Sequence, residues 1–261
     1  MAQDKRPGGR LAGRSAVISG GAGGCGAEAS RLFAAEGARV TIVDRQAEAG
    51  AALAADLRAA GHEALFAEAD VSKLEAVSAA VAAATAAFGP PTVLFNHAGS
   101  IVVKPFLETT MAEYDWLMDV NVRSMFLMTQ AVLPGMLAAG GGAIVNTSSI
   151  SAVAATPMEV LYGLTKGAVH MFSRAIAVEF RDRGIRCNAV CPGFIRTAHG
   201  MREVEALTGY GVDVSEAALA AQQGRMCEPA EVARAALFLA SEEASFINGT
   251  HLFVDNCFTA V

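Results

Sequence analysis

The sequence predicts a single α/β domain built on a doubly wound, Rossmann-type parallel sheet with helices on both faces. Short runs rich in β-branched residues alternate with longer stretches rich in Ala, Leu and Glu, a pattern typical of βαβ units. A glycine-rich turn follows the first run, and 53% of the 261 residues are apolar, as a sheet buried on both faces requires. The length allows one or two domains, and no Pro- or Ser-rich linker divides the chain.

The elements follow from the runs in chain order. The predicted strands are Ser15–Ser19, Arg39–Val43, Ala64–Ala67, Thr92–Phe95, Ala143–Thr147, Ile185–Val190 and His251–Val254. The predicted helices are Gly24–Glu36, Ala47–Ala60, Lys73–Phe88, Met111–Leu137, Val160–Arg183 and Glu228–Ala240. Residues 1–12 are expected to form a flexible tail before one catalytic domain, 13–261, in which residues 194–226 form a long, irregular substrate loop.

Composition excludes several classes of partner. The chain carries 20 Lys and Arg residues against 26 Asp and Glu residues, so it has no basic excess for nucleic acid or a membrane surface. Its five cysteines form no CxxC pair and its five histidines no HxxxH or HxH pair, so neither disulfides nor a metal site is expected. The polar N-terminus lacks the apolar segment of a secretory signal, which favours a cytoplasmic location.

The turn after the first strand is the first candidate site. It reads Ser-Gly-Gly-Ala-Gly-Gly-Cys-Gly from Ser19 to Gly26 and leads into a helix. It fits GxGxxG through Gly21, Gly23 and Gly26, and it fits GxxxGxG equally through Gly20, Gly24 and Gly26. In either case glycines allow a tight turn and close approach of the backbone, so that a pyrophosphate can lie at the helix N-terminus.

Acidic residues after the next two strands refine this prediction. Asp44 follows the glycine turn by about 20 residues, where a dinucleotide site needs an acid for the ribose. A carboxylate there favours NAD and repels the 2′-phosphate of NADP, although Arg45 can blunt the repulsion. Asp44 can instead simply cap the following helix. Asp70, beside Val71, can meet the adenine edge or serve as an N-cap.

A phenol, an ammonium and a hydroxyl form the second candidate site. Tyr162 and Lys166 are four residues apart and therefore share a helix face. The ammonium, together with a positive nicotinamide, is expected to lower the Tyr162 pKa from its ordinary value of about 10. Ser149 follows a predicted strand and can hydrogen-bond the same substrate oxygen.

The order of these motifs resembles the classical short-chain dehydrogenase/reductase family over nearly the whole chain. The family's TGxxxGxG loop appears as Ser19 to Gly26, and its NNAG element as Asn96-His97-Ala98-Gly99. The remaining matches are Asn121, Ser149, the YxxxK pair Tyr162 and Lys166, and an NxVxPGxxxT element from Asn188 to Thr197.

The resemblance implies hydride transfer between a nicotinamide and a carbinol carbon. Tyr162 would be the acid/base, Ser149 would position the substrate oxygen, and Lys166 would hold the nicotinamide ribose. Asn121 would anchor a water that relays the proton. The implied cofactor contacts are Ser19, Gly20, Gly24, Cys25, Gly26, Asp44, Asp70, Val71, Asn96, Ala98, Gly99, Tyr162, Lys166, Pro192, Gly193, Ile195 and Thr197.

The resemblance also implies a homotetramer in which helices Met111–Leu137 and Val160–Arg183 pair across a two-fold axis. Apolar helix positions at the subunit interface would then include Met128, Val169 and Phe172. Three departures from the family pattern stand out. Ser19 replaces Thr but keeps a hydroxyl, His97 replaces Asn, and Asn256-Cys257 replaces a Gly-Gly pair, which bears on the local turn.

Segments after the catalytic strands should contact the substrate. They are Ser100–Phe106, Ile150–Leu161 and 194–226. Their apolar members suggest a hydrophobic or cyclic secondary alcohol, or they belong to the core; these are Val102, Val103, Val153, Met158 and Val160. Their charged members can bind an anionic group or remain solvated; these are Lys104, Arg196, His199 and Arg202.

Three functions compete. An NAD-dependent alcohol dehydrogenase or ketone reductase uses every motif above. An idle nucleotide-binding scaffold has no need for the paired phenol and ammonium. A lyase or epimerase on a related fold would dispense with the nicotinamide site or need an added substrate domain, for which no sequence remains.

Overall fold

The β-branched runs pair side by side in one parallel sheet, in a computed structural model that describes residues 8–260. The strands are β1 (Ser15–Ser19), β2 (Arg39–Asp44), β3 (Ala64–Glu68), β4 (Val93–Asn96), β5 (Gly142–Thr147), β6 (Ile185–Pro192) and β7 (His251–Val254). They lie in the order β3-β2-β1-β4-β5-β6-β7. The chain winds outward in opposite directions from β1 and β4, which opens a crevice at their carboxyl ends. The doubly wound fold is confirmed.

Helices cover both faces of this sheet. They are α1 (Gly24–Ala35), α2 (Ala47–Ala59), α3 (Leu74–Phe88), α4 (Met111–Met118), α5 (Ser124–Ala138), α6 (Val160–Phe180), α7 (Ala198–Gly209), α8 (Glu216–Gln223) and α9 (Pro229–Ala240). Alternate residues of β1 serve opposite faces. Ile18 joins the core under α1, α2 and α9, whereas Val17 joins the core under α3, α5 and α6.

One predicted helix is interrupted. The stretch predicted as a continuous helix, Met111–Leu137, contains a π-helical turn at Asp119–Arg123 between α4 and α5. The start of α4 is fixed by a capping box, in which the Thr110 hydroxyl accepts from the Glu113 amide at 3.2 Å and the Glu113 carboxylate accepts from the Thr110 amide at 2.8 Å.

The predicted N-terminal tail is wrong for residues 8–12; residues 1–7 lie outside the described part of the chain. Leu11 is 1% exposed and belongs to the core. Its amide donates to the Glu36 carbonyl at 2.8 Å, and Arg10 pairs with the Glu36 carboxylate at 2.7 Å. Burial of Leu11 therefore holds this segment against the end of α1.

The prediction of an irregular loop over residues 194–226 is also wrong, because the segment contains α7 and α8. The Thr197 hydroxyl accepts from the Gly200 amide at 3.0 Å, and the Ser215 hydroxyl accepts from the Ala218 amide at 3.2 Å. Both helices therefore begin at a side-chain cap. Leu207 of α7 is fully buried in a third, smaller core that covers the cleft.

The turn that lost its two glycines keeps a left-handed backbone. Asn256 has φ +45° and Cys257 φ +72°. Asn tolerates this region better than most residues. The side-chain amide of Asn256 donates to the Gln223 carbonyl at 2.9 Å. This hydrogen bond stabilises a left-handed conformation that glycine adopts without strain.

Two of the predicted interface positions are wrong, since Met128 and Val169 are buried within this chain at 0% and 2% exposure. Phe172 is half-buried beside Phe126, with ring centroids 6.1 Å apart. Within residues 8–260, no helix is both long and apolar enough to cross a membrane. The same residues contain no group of three or more His, Cys, Asp or Glu side chains placed to hold a metal ion.

Candidate active site

The geometry of the glycine turn after β1 distinguishes between the GxGxxG and GxxxGxG assignments. Gly20 has φ +66°, and a Cβ there would lie 2.8 Å from the Ala98 Cα. Gly24 has φ +50°, and a Cβ on Gly26 would lie 1.9 Å from the Gly20 carbonyl oxygen. A Cβ on Gly23 would meet nothing closer than 3.6 Å. The close approaches therefore support GxxxGxG through Gly20, Gly24 and Gly26.

Hydrogen bonds tie this turn to the loop after β4. The Ser19 hydroxyl accepts from the amides of His97 and Ala98 at 3.1 and 3.3 Å. His97 Nδ1 lies 3.0 Å from Thr147 Oγ1 at the end of β5. Burial, with the nearby Lys166 charge, lowers the His97 pKa to about 4, so its imidazole is neutral near pH 7. His97 therefore braces the loop.

Asp44 contacts the glycine turn and the residue before the next helix. One carboxylate oxygen accepts from the Ala22 amide at 3.0 Å, and the other accepts from the Gln46 amide at 3.0 Å, immediately before α2. The Gln46 side-chain amide also donates to Oδ1 at 3.4 Å, so Oδ2 is the oxygen that keeps a further lone pair for a ligand hydroxyl. Arg45 beside it is exposed. Gln46 occupies the N-cap position of α2 and no side chain caps that helix, so the helix-capping alternative for Asp44 is wrong and ribose binding stays a prediction.

Asp70 is not the N-cap of α3. Its carboxylate accepts from the amide and the hydroxyl of Ser72 at 3.0 and 2.7 Å, and Lys73 occupies the N-cap position. Asp70 and Val71 both line the same cleft as the glycine turn. Contact between Asp70 and the adenine edge stays a prediction.

Lys166 is held at the centre of the cleft. It is 5% exposed, and its Nζ donates to the Thr147 carbonyl at 3.0 Å. The same Nζ lies 5.4 Å from the centroid of the Tyr162 ring. Burial lowers the Lys166 pKa to about 8, which leaves the ammonium form in excess at pH 7.

The expectation of a lowered Tyr162 pKa is wrong for the protein alone. Burial raises the Tyr162 pKa well above its ordinary value, and the nearby Glu203 and Glu159 raise it further. A hydrogen bond with Ser149 acts in the opposite direction but is the smaller effect. The resting phenol is therefore protonated, as reduction of a ketone requires.

Ser149 and Asn121 occupy fixed positions. The Ser149 hydroxyl accepts from the Ser151 amide at 3.1 Å. In the π-helical turn, Asn121 Oδ1 accepts from the Ser100 amide at 2.7 Å. Its Nδ2 donates to the Ser100 carbonyl at 2.9 Å and to Thr165 Oγ1 at 3.0 Å. Asn121 thereby fastens the loop after β4 to α6, and its water relay stays a prediction.

One cavity of about 390 Å³ brings most predicted residues together. Four of the predicted site residues do not line this cavity; these are Ser19, Gly26, Asn96 and Asn121. Asn96 lies inside the sheet, where its amide donates to Asn146 Oδ1 at 2.9 Å. Sequence reasoning missed Trp116 and Val120, which belong to no local motif. It named the segments Ile150–Leu161 and 194–226 but did not single out their lining residues, among them Ser151, Thr156, Phe194 and Glu203.

The five apolar residues proposed for the substrate pocket do not line this cavity. Val153 and Val160 are 58% and 55% exposed, so they are not core residues either. Val103 and Met158 pack partly buried against the third core. The substrate end is instead mixed, with the rings of Trp116 and Phe194 beside several polar side chains.

Of the four charged candidates, two are outside the cavity. Lys104 pairs with Glu113 at 2.9 Å and Arg196 with Glu228 at 3.3 Å. His199 and Arg202 do line the cavity. Burial lowers the His199 pKa to about 4, so His199 supplies no positive charge near pH 7.

Comparison with known proteins now gives the family. Residues 20–259 match the family model described as enoyl-(acyl carrier protein) reductase. A 2,5-dichloro-2,5-cyclohexadiene-1,4-diol dehydrogenase of Sphingobium indicum is 38% identical over 246 residues, 94% of this chain and 96% of that protein. A cyclopentanol dehydrogenase of Comamonas testosteroni is 37% identical over 252 residues, 97% and 99% of the two chains. The chain belongs to the short-chain dehydrogenase/reductase family.

A solved structure agrees with this assignment. The crystal structure of levodione reductase matches with a TM-score of 0.91 at 32% identity, covering 97% of this chain and 100% of that one. Short-chain dehydrogenases/reductases use nicotinamide cofactors, and the cleft fits such a dinucleotide. The backbone at Gly20 and Gly26 leaves no room for a Cβ, and no side chain caps the N-terminus of α1 that faces the turn.

We expect Gly26→Ala to weaken NADH binding by at least about tenfold, or about 1.4 kcal/mol, because the added methyl collides with the Gly20 carbonyl. The matched control Gly23→Ala adds the same methyl where the nearest atom is 3.6 Å away. Titration of NADH fluorescence measures both. Equal losses in the two variants would contradict the GxxxGxG assignment.

Proposed function

We propose that the protein is an NAD-dependent dehydrogenase that interconverts a secondary alcohol, hydrophobic or cyclic, and its ketone. The supporting observation is the convergence of Ser149, Tyr162 and Lys166 in one cleft with the glycine turn. A bound nicotinamide would supply the site that accepts or gives back the hydride. Relatives named for cyclopentanol and for a cyclohexadienediol favour a carbinol carbon in a ring.

Each side chain has a separate task in this proposal. The Ser149 hydroxyl hydrogen-bonds the substrate oxygen and orients the carbinol carbon. The Tyr162 phenol donates its proton to the ketone oxygen during reduction. During oxidation the phenol must first lose its proton to solvent, and the resulting phenolate takes the hydroxyl proton of the alcohol. The Lys166 ammonium stabilises the phenolate that forms during reduction. Asn121 holds Ser100 and Thr165 in place. We keep as part of the proposal that it anchors the water that exchanges this proton with solvent.

Asp44 carries the cofactor preference. Its carboxylate lies at the end of β2 and lines the cleft. A ribose hydroxyl can donate to the free lone pair of Asp44 Oδ2, whereas a 2′-phosphate would be repelled. Arg45 lines the same cleft and can weaken this repulsion, and we favour NAD over NADP because the Asp44 carboxylate is buried at the end of β2.

A homo-oligomer, expected as a tetramer, is part of the proposal. Large apolar side chains are exposed on α5 and α6, and burying them between subunits is favourable. They are Phe126, Leu164, Met171 and Val178. We also retain the proposal of a cytoplasmic enzyme with a small-molecule substrate.

Replacing Tyr162 by Phe removes the proton carrier and keeps the ring. We expect turnover of a substrate alcohol to fall at least about a hundredfold, with NADH binding retained. The control is Tyr210→Phe, since Tyr210 is 42% exposed and lies outside the cavity. Initial rates of NADH formation and NADH titration measure the two effects. Near-normal turnover by Tyr162→Phe would refute the proposed mechanism.

The cofactor proposal has its own test. We expect kcat/KM for NAD to exceed that for NADP by at least about tenfold, equivalent to about 1.4 kcal/mol. Asp44→Asn should narrow this ratio because it removes the charge that opposes the 2′-phosphate. Asp56→Asn is the control, because Asp56 is an exposed acid on α2 outside the cavity. A wild-type preference for NADP would overturn the role given to Asp44.

A further inference from the structure

Two glutamates outside the proposed mechanism meet at the substrate end of the cleft. Glu159 directly precedes α6, three residues before Tyr162, and is 2% exposed. Glu203 lies on α7 and lines the cavity together with Ser149 and Tyr162. The Glu159 and Glu203 carboxyl groups lie close enough together that each acts on the pKa of the other. They are 44 residues apart in the sequence and belong to none of the motifs.

The hydrogen-bond partners of Glu159 leave one of its two carboxyl oxygens without a donor. Its Oε2 accepts from the Ser151 hydroxyl at 3.4 Å. Its Oε1 is buried and accepts no hydrogen bond from any N–H or O–H donor in residues 8–260. Two buried carboxylates that lie close together repel each other, which favours one proton shared between them. Burial accordingly raises the pKa of Glu159 to about 7 and raises that of Glu203 well above its ordinary range.

The backbone immediately before Glu159 adopts a strained conformation. Met158 has φ +66°, a region that non-glycine residues rarely adopt, and its carbonyl accepts from the Lys104 amide at 2.7 Å. Such strain persists where the surrounding structure imposes it, often at functional sites. The strained backbone at Met158 therefore fixes the position from which the Glu159 side chain extends.

We propose that the Glu159–Glu203 carboxyl pair binds a second hydroxyl group of the substrate, so that the site prefers a diol to the corresponding mono-alcohol. Glu203 touches the ligand, and Glu159 positions it and shares its proton. This inference rests on the proposed dehydrogenase function. It names the feature of the substrate that the end of the cavity recognises.

A hydroxyl group fits the pair better than a charged group does. A carboxyl pair with one proton offers both a donor and an acceptor, as a hydroxyl group also does. An anion would be repelled by the net negative charge of the pair. An ammonium group would approach Lys166 and Arg202, the cations that line the same cavity. A neutral second hydroxyl avoids both penalties.

The test compares kcat/KM for cyclohexane-1,2-diol and cyclohexane-1,3-diol with that for cyclohexanol, with NAD in excess. We expect the wild-type enzyme to favour at least one diol by about tenfold or more, the range for a hydrogen bond to a charged group. Glu203→Leu should lower this diol/mono-alcohol ratio by about tenfold or more. Glu203→Gln should lower it less, because an amide still donates and accepts.

The matched control is Glu205→Leu, which makes the same change two residues further along α7 at an exposed position outside the cavity. Its ratio should equal that of the wild type, and thermal melts compare the folding of the variants. The wild-type ratio tests the inference even where Glu203→Leu fails to fold.

Three outcomes would overturn the inference. A wild-type enzyme that oxidises cyclohexanol as efficiently as both diols leaves the dehydrogenase function standing and removes the subsite. A stronger preference for trans-2-aminocyclohexanol than for either diol assigns the pair to a cation. A wild-type enzyme that oxidises no alcohol overturns the proposed function and the diol subsite with it.

Discussion

The buried ammonium of Lys166 is the constraint on which the rest of the cleft depends. A charge removed from water is costly unless it is partnered, and Lys166, 5% exposed, donates to the Thr147 carbonyl at the end of β5. The Ser148 hydroxyl donates back to the Lys166 carbonyl at 3.2 Å, so strand and helix are tied twice. Tyr162 lies one helical turn before Lys166 and is thereby fixed over the cleft.

The strands could be predicted from sequence because a sheet buried on both faces needs continuous apolar runs. Ser15–Ser19 and His251–Val254 form strands with the bounds predicted for them. The π-helical turn at Asp119–Arg123 could not be predicted, since Asn121 meets Ser100 only in the folded chain. The caps of α7 and α8 are visible as Thr197 and Ser215, but the two helices carry few large apolar side chains, so their sequence was interpreted as a loop.

Some features of the candidate site could likewise be predicted from the sequence, and others could not. Motif spacing predicted which residues meet, because Tyr162 and Lys166 share a helix face and the glycine turn follows a strand. Electrostatics could not be predicted, because the Tyr162 pKa is governed by burial and by Glu203, a distant residue in sequence. The apolar residues Val153 and Val160 gave no information about the pocket because both are exposed and lie outside it. Pocket walls depend on tertiary placement, for which this sequence has no local pattern.

The most direct test of the account is NADH absorbance recorded while the purified protein is offered NAD with a panel of cyclic and acyclic secondary alcohols, and NADH with the matching ketones. The account predicts sustained NADH formation with at least one cyclic secondary alcohol, and NADH consumption with its ketone. Tight NADH binding without turnover of any alcohol or ketone would contradict it. That result would identify the protein as a nucleotide-binding scaffold that keeps the fold without the reaction.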